Sequence, residues 1–296
     1  MISRSSLSRR ALLCGAGSFF LAGRSSSAAC SGGIVAMDWV SGQNLLALGM
    51  QPAALPELER YRSLVVEPVL SPSVAELGLR SEPNLELIDR LRPCLIVYSD
   101  DFAMAAGQLA AIAPTHRFDA GVVAGENHLT SGGNALVALA ARIGDPGRFD
   151  AFQESFDAEM QRARARLAAY DGRPLLLATV IDGRRLLVFG KNSLFQNVLD
   201  QLGIKNAWDG YTSQYGHTTV TADQLSRHPQ ARLLCIGDTS SEKLDMLLAA
   251  PVIKSLPFIR ENRLVRIKDV LFYGGLPPAK RFARLVSTAL AGKASP

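Results

Sequence analysis

The sequence predicts an α/β fold: two α/β lobes joined by one long rigid helix. Three observations predict it. Apolar strand-like runs alternate with helical patterns in both halves of the chain. The halves also echo each other. NLELIDRLRPCLIV in the first and TADQLSRHPQARLLCI in the second both run from a polar helix start through a Leu or Ile stripe and a proline to a strand, and LLALGM is answered by VLDQLGI. Between the halves, Phe149, Phe152, Phe156, Met160, Ala163 and Leu167 recur at spacings of three and four, which is one face of a helix.

In the first half, Gly33–Met37 reads as a strand and Gln43–Leu48 as a helix stopped by Gly49. Asn84–Leu91 reads as a short helix, and Cys94–Tyr98, after Pro93, as a buried strand. Asp145 can cap the long helix and Pro146 suits its first position. That helix ends before Gly172 and Pro174, and about 24 residues at 1.5 Å each would span roughly 36 Å. In the second half, Leu175–Ile181 and Leu186–Phe189 are strand-like, Leu194–Leu202 is a helix stopped by Gly203, Thr221–Arg227 is a helix with Thr221 as its cap, and Leu233–Gly237 is a strand. The expected organisation is a leader over 1–29, a first lobe over 30–144, the connecting helix over 145–171 and a second lobe over 172–296.

The chain has 296 residues, 48% hydrophobic and 20% charged, which excludes a disordered or collagen-like chain. Its net charge of +5 resides largely in the leader, where Arg4, Arg9, Arg10 and Arg24 face no acid; without them 28 basic residues meet 27 acidic ones. That balance gives no support for nucleic-acid binding. Ser8-Arg9-Arg10-Ala11-Leu12-Leu13 is a twin-arginine pattern, followed by the apolar run Ala11–Ala22 and a small-residue cleavage zone near Ala28 and Ala29. An export signal, and so a periplasmic protein, is expected. Ser27-Ala28-Ala29-Cys30 resembles a lipobox with Ser in place of the leading Leu, so a lipid anchor at Cys30 is a second option. Cys94 and Cys235 lie in apolar runs far apart in sequence, and both are expected to be free, buried thiols.

The sequence contains no GxSxG, Walker loop or HExxH, and His116, His128, His217 and His228 are scattered, so neither an enzyme nor a metal centre is expected. Asp100-Asp101 could be acid–base carboxylates, but a solvated loop or helix cap is the better reading. Ligands of α/β sheets gather beyond the C-terminal ends of the strands. Trp39, Tyr98, Phe102 and Tyr273 follow such ends, Tyr215 and His217 sit in the polar loop YTSQYGHTT, and Arg80 lies in the turn LGLRSEPN. Arginine can donate several hydrogen bonds to electron-rich oxygens without losing its charge.

Four blocks carry a resemblance. Leu77-Gly78-Leu79-Arg80-Ser81-Glu82-Pro83-Asn84-Leu85-Glu86-Leu87, Leu187-Val188-Phe189-Gly190-Lys191-Asn192-Ser193-Leu194-Phe195-Gln196, Ile204-Lys205-Asn206-Ala207-Trp208 and Phe272-Tyr273-Gly274 occur in the order of the periplasmic ferric-hydroxamate siderophore-binding proteins that feed ABC importers. The chain resembles that family from about Ile34 to its end. The resemblance implies a class III binding protein with a ligand cleft between the lobes, whose cleft arginine falls on Arg80, whose aromatic wall falls on Trp39, Tyr98, Tyr215 and Tyr273, and whose apolar contact falls on Leu187. It also implies departures: a hydrogen-bonding tyrosine of the family falls on Phe102, two pocket tryptophans fall on Leu64 and Leu271, and a small polar residue falls on His217. The implied cargo brings its own iron, filled by six oxygens, so no cofactor and no protein metal ligand are needed. The implied partners are a ferric siderophore and an inner-membrane ABC permease, docked through Glu82 and Glu86 on one lobe and Glu242 on the other, with the chain acting as a monomer. The same fold could instead carry haem, a corrinoid or another iron chelate, with His217 or Tyr215 as an iron ligand; an exported siderophore reductase or hydrolase is the remaining alternative.

Overall fold

The computed structural model describes residues 32–120, 127–237 and 241–291. The leader, Cys14 and Cys30 lie outside these residues. The first sheet contains β1 (Ile34–Ala36), β2 (Ala54–Leu55), β3 (Ala75–Glu76), β6 (Leu95–Tyr98) and β7 (Thr115–Arg117), all parallel in the order β3-β2-β1-β6-β7. A small antiparallel hairpin, β4 (Gly78–Leu79) with β5 (Glu82–Pro83), follows β3. The second sheet contains β8 (Leu175–Val180), β9 (Arg185–Phe189), β10 (His217–Thr221), β11 (Arg232–Ile236) and β12 (Leu264–Ile267) in the order β10-β9-β8-β11-β12. β8, β11 and β12 are parallel, and β9 runs antiparallel to both its neighbours.

The sequence echo is real in space, because β6 and β11, the strands ending the two matched segments, occupy the same fourth position in their sheets. The lobes diverge at β9 and β10. His217–Thr219, expected as loop, and the two residues after it form a strand fully paired with β9, because the β-branched run Thr218 to Thr221 fits a pleated edge.

The connecting helix runs Gly147–Arg166, shorter at both ends than expected. Asp145 makes no cap; its carboxylate pairs with Arg148 at 3.0 Å. Phe152, Phe156, Met160 and Ala163 are buried along the expected face. Near its start Arg148 Nη1 donates to the Leu48 carbonyl of the first lobe (3.0 Å), and near its end Arg164 Nε donates to the Gln201 carbonyl of the second (2.9 Å). One continuous core spans both lobes beneath this helix and the helices His128–Ile143 and Leu276–Leu290. Separate cores cover the outer faces of the two sheets.

One expectation is corrected. Cys235 is free and buried, and burial pushes its thiol up to about 12, but Cys94 is disulfide-bonded, with its partner outside the described residues. Distance from Cys235 had argued for two free thiols. The parallel pairing of β1 and β6 instead sets Cys94 against Gly33, whose carbonyl accepts from the Cys94 N–H at 3.0 Å, so the chain entering β1 passes beside it. Among the described residues no helix is long and apolar enough to cross a membrane, and no group of His, Cys, Asp or Glu could hold a metal.

Candidate functional site

The site forms where β1 and β6 end. Asp38, directly after β1, caps the helix Trp39–Ala47: one carboxylate oxygen accepts from the Ser41 N–H and the other from the Ser99 N–H at the end of β6, both at 2.8 Å. Burial nevertheless raises its pKa. This cap fixes Trp39 in the first turn, 3% exposed, with its indole N–H given to the Pro56 carbonyl at 3.2 Å. Its ring face is covered by arginine.

Arg80 sits in the turn of the β4–β5 hairpin, and its guanidinium lies over that face, 3.8 Å from the ring centroid. Its Nε donates to Glu57 Oε2 at 3.0 Å. Glu57 has φ of 52°, a left-handed conformation held by its own N–H donating to Gly78 O and to Glu76 Oε1. Arg60, 60% exposed, shares the same Glu57 oxygen at 3.3 Å. The guanidinium is thereby pinned on one edge and one face, and it also bonds Tyr273 and lines a cavity.

Tyr273 arrives from the other lobe, on the segment between β12 and the C-terminal helix. Burial raises its hydroxyl pKa against the lowering effect of a hydrogen bond with Arg80, so it stays protonated. From there a chain of rings continues through the second lobe. Phe272 lies 5.1 Å from Tyr273 and 5.2 Å from His217, edge to face in both cases, and His217 stacks at 6.3 Å on Tyr215. Burial lowers the His217 pKa, leaving a neutral ring at pH 7 with one donor and one acceptor.

A cavity of about 550 Å³ opens beside Arg80, with Phe102, Asp38, Asp101 and Leu109 among its lining. A smaller one, about 100 Å³, adjoins it at Tyr273, Asp101 and His128. Six of the sequence-derived residues are therefore linked by contacts or a shared cavity: Trp39, Arg80, Phe102, Tyr215, His217 and Tyr273. Leu187 is half-buried on β9 against the common core, and Leu271, 9% exposed, precedes Phe272. Leu64 likewise packs against the common core. Tyr98, 8% exposed, packs into the outer core of the first lobe and lines neither cavity. Glu82, Glu86 and Glu242 are exposed, with Glu82 also at the larger cavity. Glu57 and Phe272 were missed. Phe272 stood in a motif block, whereas nothing local in the sequence pointed to Glu57.

Two lobes, a helix crossing between them and a fixed guanidinium linked through Tyr273 to a chain of rings on the other lobe define a two-lobed solute-binding protein. The chain belongs to the periplasmic binding protein family, which matches residues 34–271. It is 37% identical over 261 residues to the Iron(3+)-hydroxamate-binding protein FhuD of Escherichia coli (strain K12), covering 88% of each chain. The crystal structure of the Fe3+–Desferal-bound siderophore binding protein FhuD from Vibrio cholerae is similar in fold at a TM-score of 0.82 and 24% identity, over 88% of this chain and 98% of that one. The iron uptake substrate-binding protein PiuA from Streptococcus pneumoniae follows at a TM-score of 0.69 and 22% identity, over 87% of this chain and 92% of that one. The resemblance read from the four sequence blocks is borne out at the level of the family. The chain is a binding protein of that family rather than an enzyme.

Proposed function

We propose that this protein captures ferric hydroxamate siderophores in the periplasm and delivers them to an inner-membrane ABC permease. The observation that carries the reading is the Arg80 guanidinium, held against Trp39 and Glu57 and opening into a cavity. The 37% identity to a protein named for iron(3+)-hydroxamate binding supports it. In a ferric trihydroxamate the iron is already saturated with oxygen, so the protein needs donors for those oxygens and an apolar wall for the organic scaffold. Arg80 and the Tyr273 hydroxyl are the donors. Phe102, Phe272, Tyr215 and His217 are the wall, with Trp39 beneath Arg80 and Leu187 and Leu271 behind it. Iron enters as cargo, not as a resident cofactor.

The finer parts of the reading are proposals as well. Export follows the twin-arginine route, the mature chain comprises lobes over 30–144 and 172–296 and acts as a monomer, and Glu82, Glu86 and Glu242 meet basic pockets of the permease. Titration of the mature chain, followed by the fluorescence of Trp39 and Trp208, tests the cargo. Ferric hydroxamates are expected to change the signal at micromolar concentrations or below. A response confined to haem, a corrinoid or ferric catecholates would overturn the hydroxamate reading.

A further inference from the structure

The Asp100-Asp101 pair, unassigned by the sequence, divides in the structure. Asp100 is taken by Arg117, whose Nε donates to it at 2.6 Å, while Arg117 Nη2 lies 3.6 Å from Asp119. Among the described residues Arg80 is the only guanidinium lining the larger cavity, and it is committed to Glu57. The Asp101 carboxylate is left over. It is exposed, it lines both cavities, and it makes no ion pair or hydrogen bond with any described residue, although its charge is felt at the Tyr273 hydroxyl. The other carboxylates of the larger cavity differ from it. Asp38 is buried with both oxygens satisfied, and Glu82, exposed on the Arg80 hairpin, lines the larger cavity but not the smaller one at Tyr273. A site with a conspicuous arginine therefore has an acidic lip.

We infer that Asp101 sets a charge preference: the cleft favours ferric hydroxamates carrying a free ammonium over otherwise identical neutral ones. The inference rests on the siderophore reading above. The neutral ferric trihydroxamate core lies against Arg80 and the rings, and an ammonium extending from it meets the unpaired Asp101 carboxylate beside Phe102. An exposed ion pair of this kind is modest, so the expected preference is about threefold to fivefold in Kd at low salt, shrinking as salt rises.

The test uses ferrioxamine B, a linear ferric trihydroxamate ending in an ammonium, and its N-acetylated form, in which a neutral acetamide replaces the ammonium. Both are titrated into the mature protein and into Asp101→Asn, Asp101→Glu and Asp101→Lys. Wild type and Asp101→Glu are expected to prefer the ammonium form, Asp101→Asn to bind the two alike, and Asp101→Lys to reverse the order. Equal affinities in the wild type, or a preference that survives in Asp101→Asn, would sink the inference while leaving the siderophore reading intact. Failure of the wild type to bind either chelate would overturn both.

Discussion

Replacing Arg80 by alanine removes the one cationic side chain that, among the described residues, lines the larger cavity, and the structure sets the size of the effect. The Nε is already spent on Glu57, so the ligand's share comes from the terminal nitrogens. A hydrogen bond from a charged donor is worth about 1.5–3 kcal/mol. A loss of about 2 kcal/mol, or roughly thirtyfold in Kd, follows for Arg80→Ala. The fold should survive, because Arg80 is partly exposed and Glu57 keeps Arg60 as a partner. Arg80→Lys keeps the charge but loses the planar group lying on Trp39 and the fork of donors, so about 1 kcal/mol, near fivefold, is expected there. Glu57→Gln tests positioning, since it touches Arg80 from behind and should weaken binding severalfold with no direct ligand contact. Fluorescence titration with a ferric trihydroxamate measures all three, and thermal melting checks that each variant is folded. Trp39 reports directly, because it lies under the guanidinium. Trp208 packs with His228 elsewhere in the second lobe and serves as the reference. An unchanged Kd in a folded Arg80→Ala protein would remove the guanidinium from recognition and with it the central claim about the cleft.

Phe102→Tyr places a hydroxyl at the larger cavity beside Arg80; one further hydrogen bond is expected to tighten hydroxamate binding by about 1 kcal/mol, and a Kd that stays the same or rises counts against that placement. His217 and His116 both have pKa values lowered by burial, so unfolding takes up protons below about pH 6.5. Their neutral burial is fully compatible with stability above that pH and penalises the fold as pH falls through it. The melting temperature should therefore drop between pH 7 and 5, with a smaller drop in His217→Gln; an identical pH slope in that variant would exclude His217 as a contributor. Phe282 is fully buried on the C-terminal helix, 4.3 Å from the Phe195 ring, so Phe282→Ala should cost about 3–5 kcal/mol in denaturant melts, and a loss below about 1 kcal/mol would mean the common core is not packed as described.

Elements with a local signature were legible in the sequence. Leu194–Leu202 was read to the residue because Ser193 caps it by accepting from the Gln196 N–H and Gly203, at φ 71°, ends it. The buried strands stood out as apolar runs. Of the helices not read, the two longest carry breakers that the fold puts to use. His128–Ile143 contains Gly132 and Gly133, which suggest a loop; Gly132 is required because a Cβ there would fall 2.6 Å from the Gly275 Cα. Leu276–Leu290 opens on Pro277 and Pro278, harmless in a first turn that needs no N–H partners, and buries Arg281 on its inner side. In the site, single residues could be picked out by type, but the stack of Arg80 on Trp39 and the ring chain from Tyr273 to Tyr215 join segments distant in sequence. Glu57 is the clearest case: its role depends on a left-handed backbone and a hairpin that brings Arg80 to it.

The same long-range bonds bear on how the cleft works. Asn44 Nδ2, from the first lobe, donates to the Gly274 carbonyl of the second at 2.8 Å in a fully buried setting. Glu67 of the first lobe binds Arg281 at 2.7 Å and Arg284 more closely still, both on the C-terminal helix. His128 bonds the Asn192 carbonyl at 2.7 Å through its ring and the Asn197 side chain at 2.8 Å through its backbone N–H. A hinge motion that separated the lobes would strip partners from Asn44 and from Arg281, which is 4% exposed, at about 1–3 kcal/mol for each polar group left dry and more for the charge. The connecting helix adds a stiff spacer in place of a flexible strand. Discrimination between chelates must then come from side chains already in position. That is why single changes of charge or hydroxyl at Arg80, Asp101 and Phe102 are expected to alter affinity directly, without a compensating movement of the lobes.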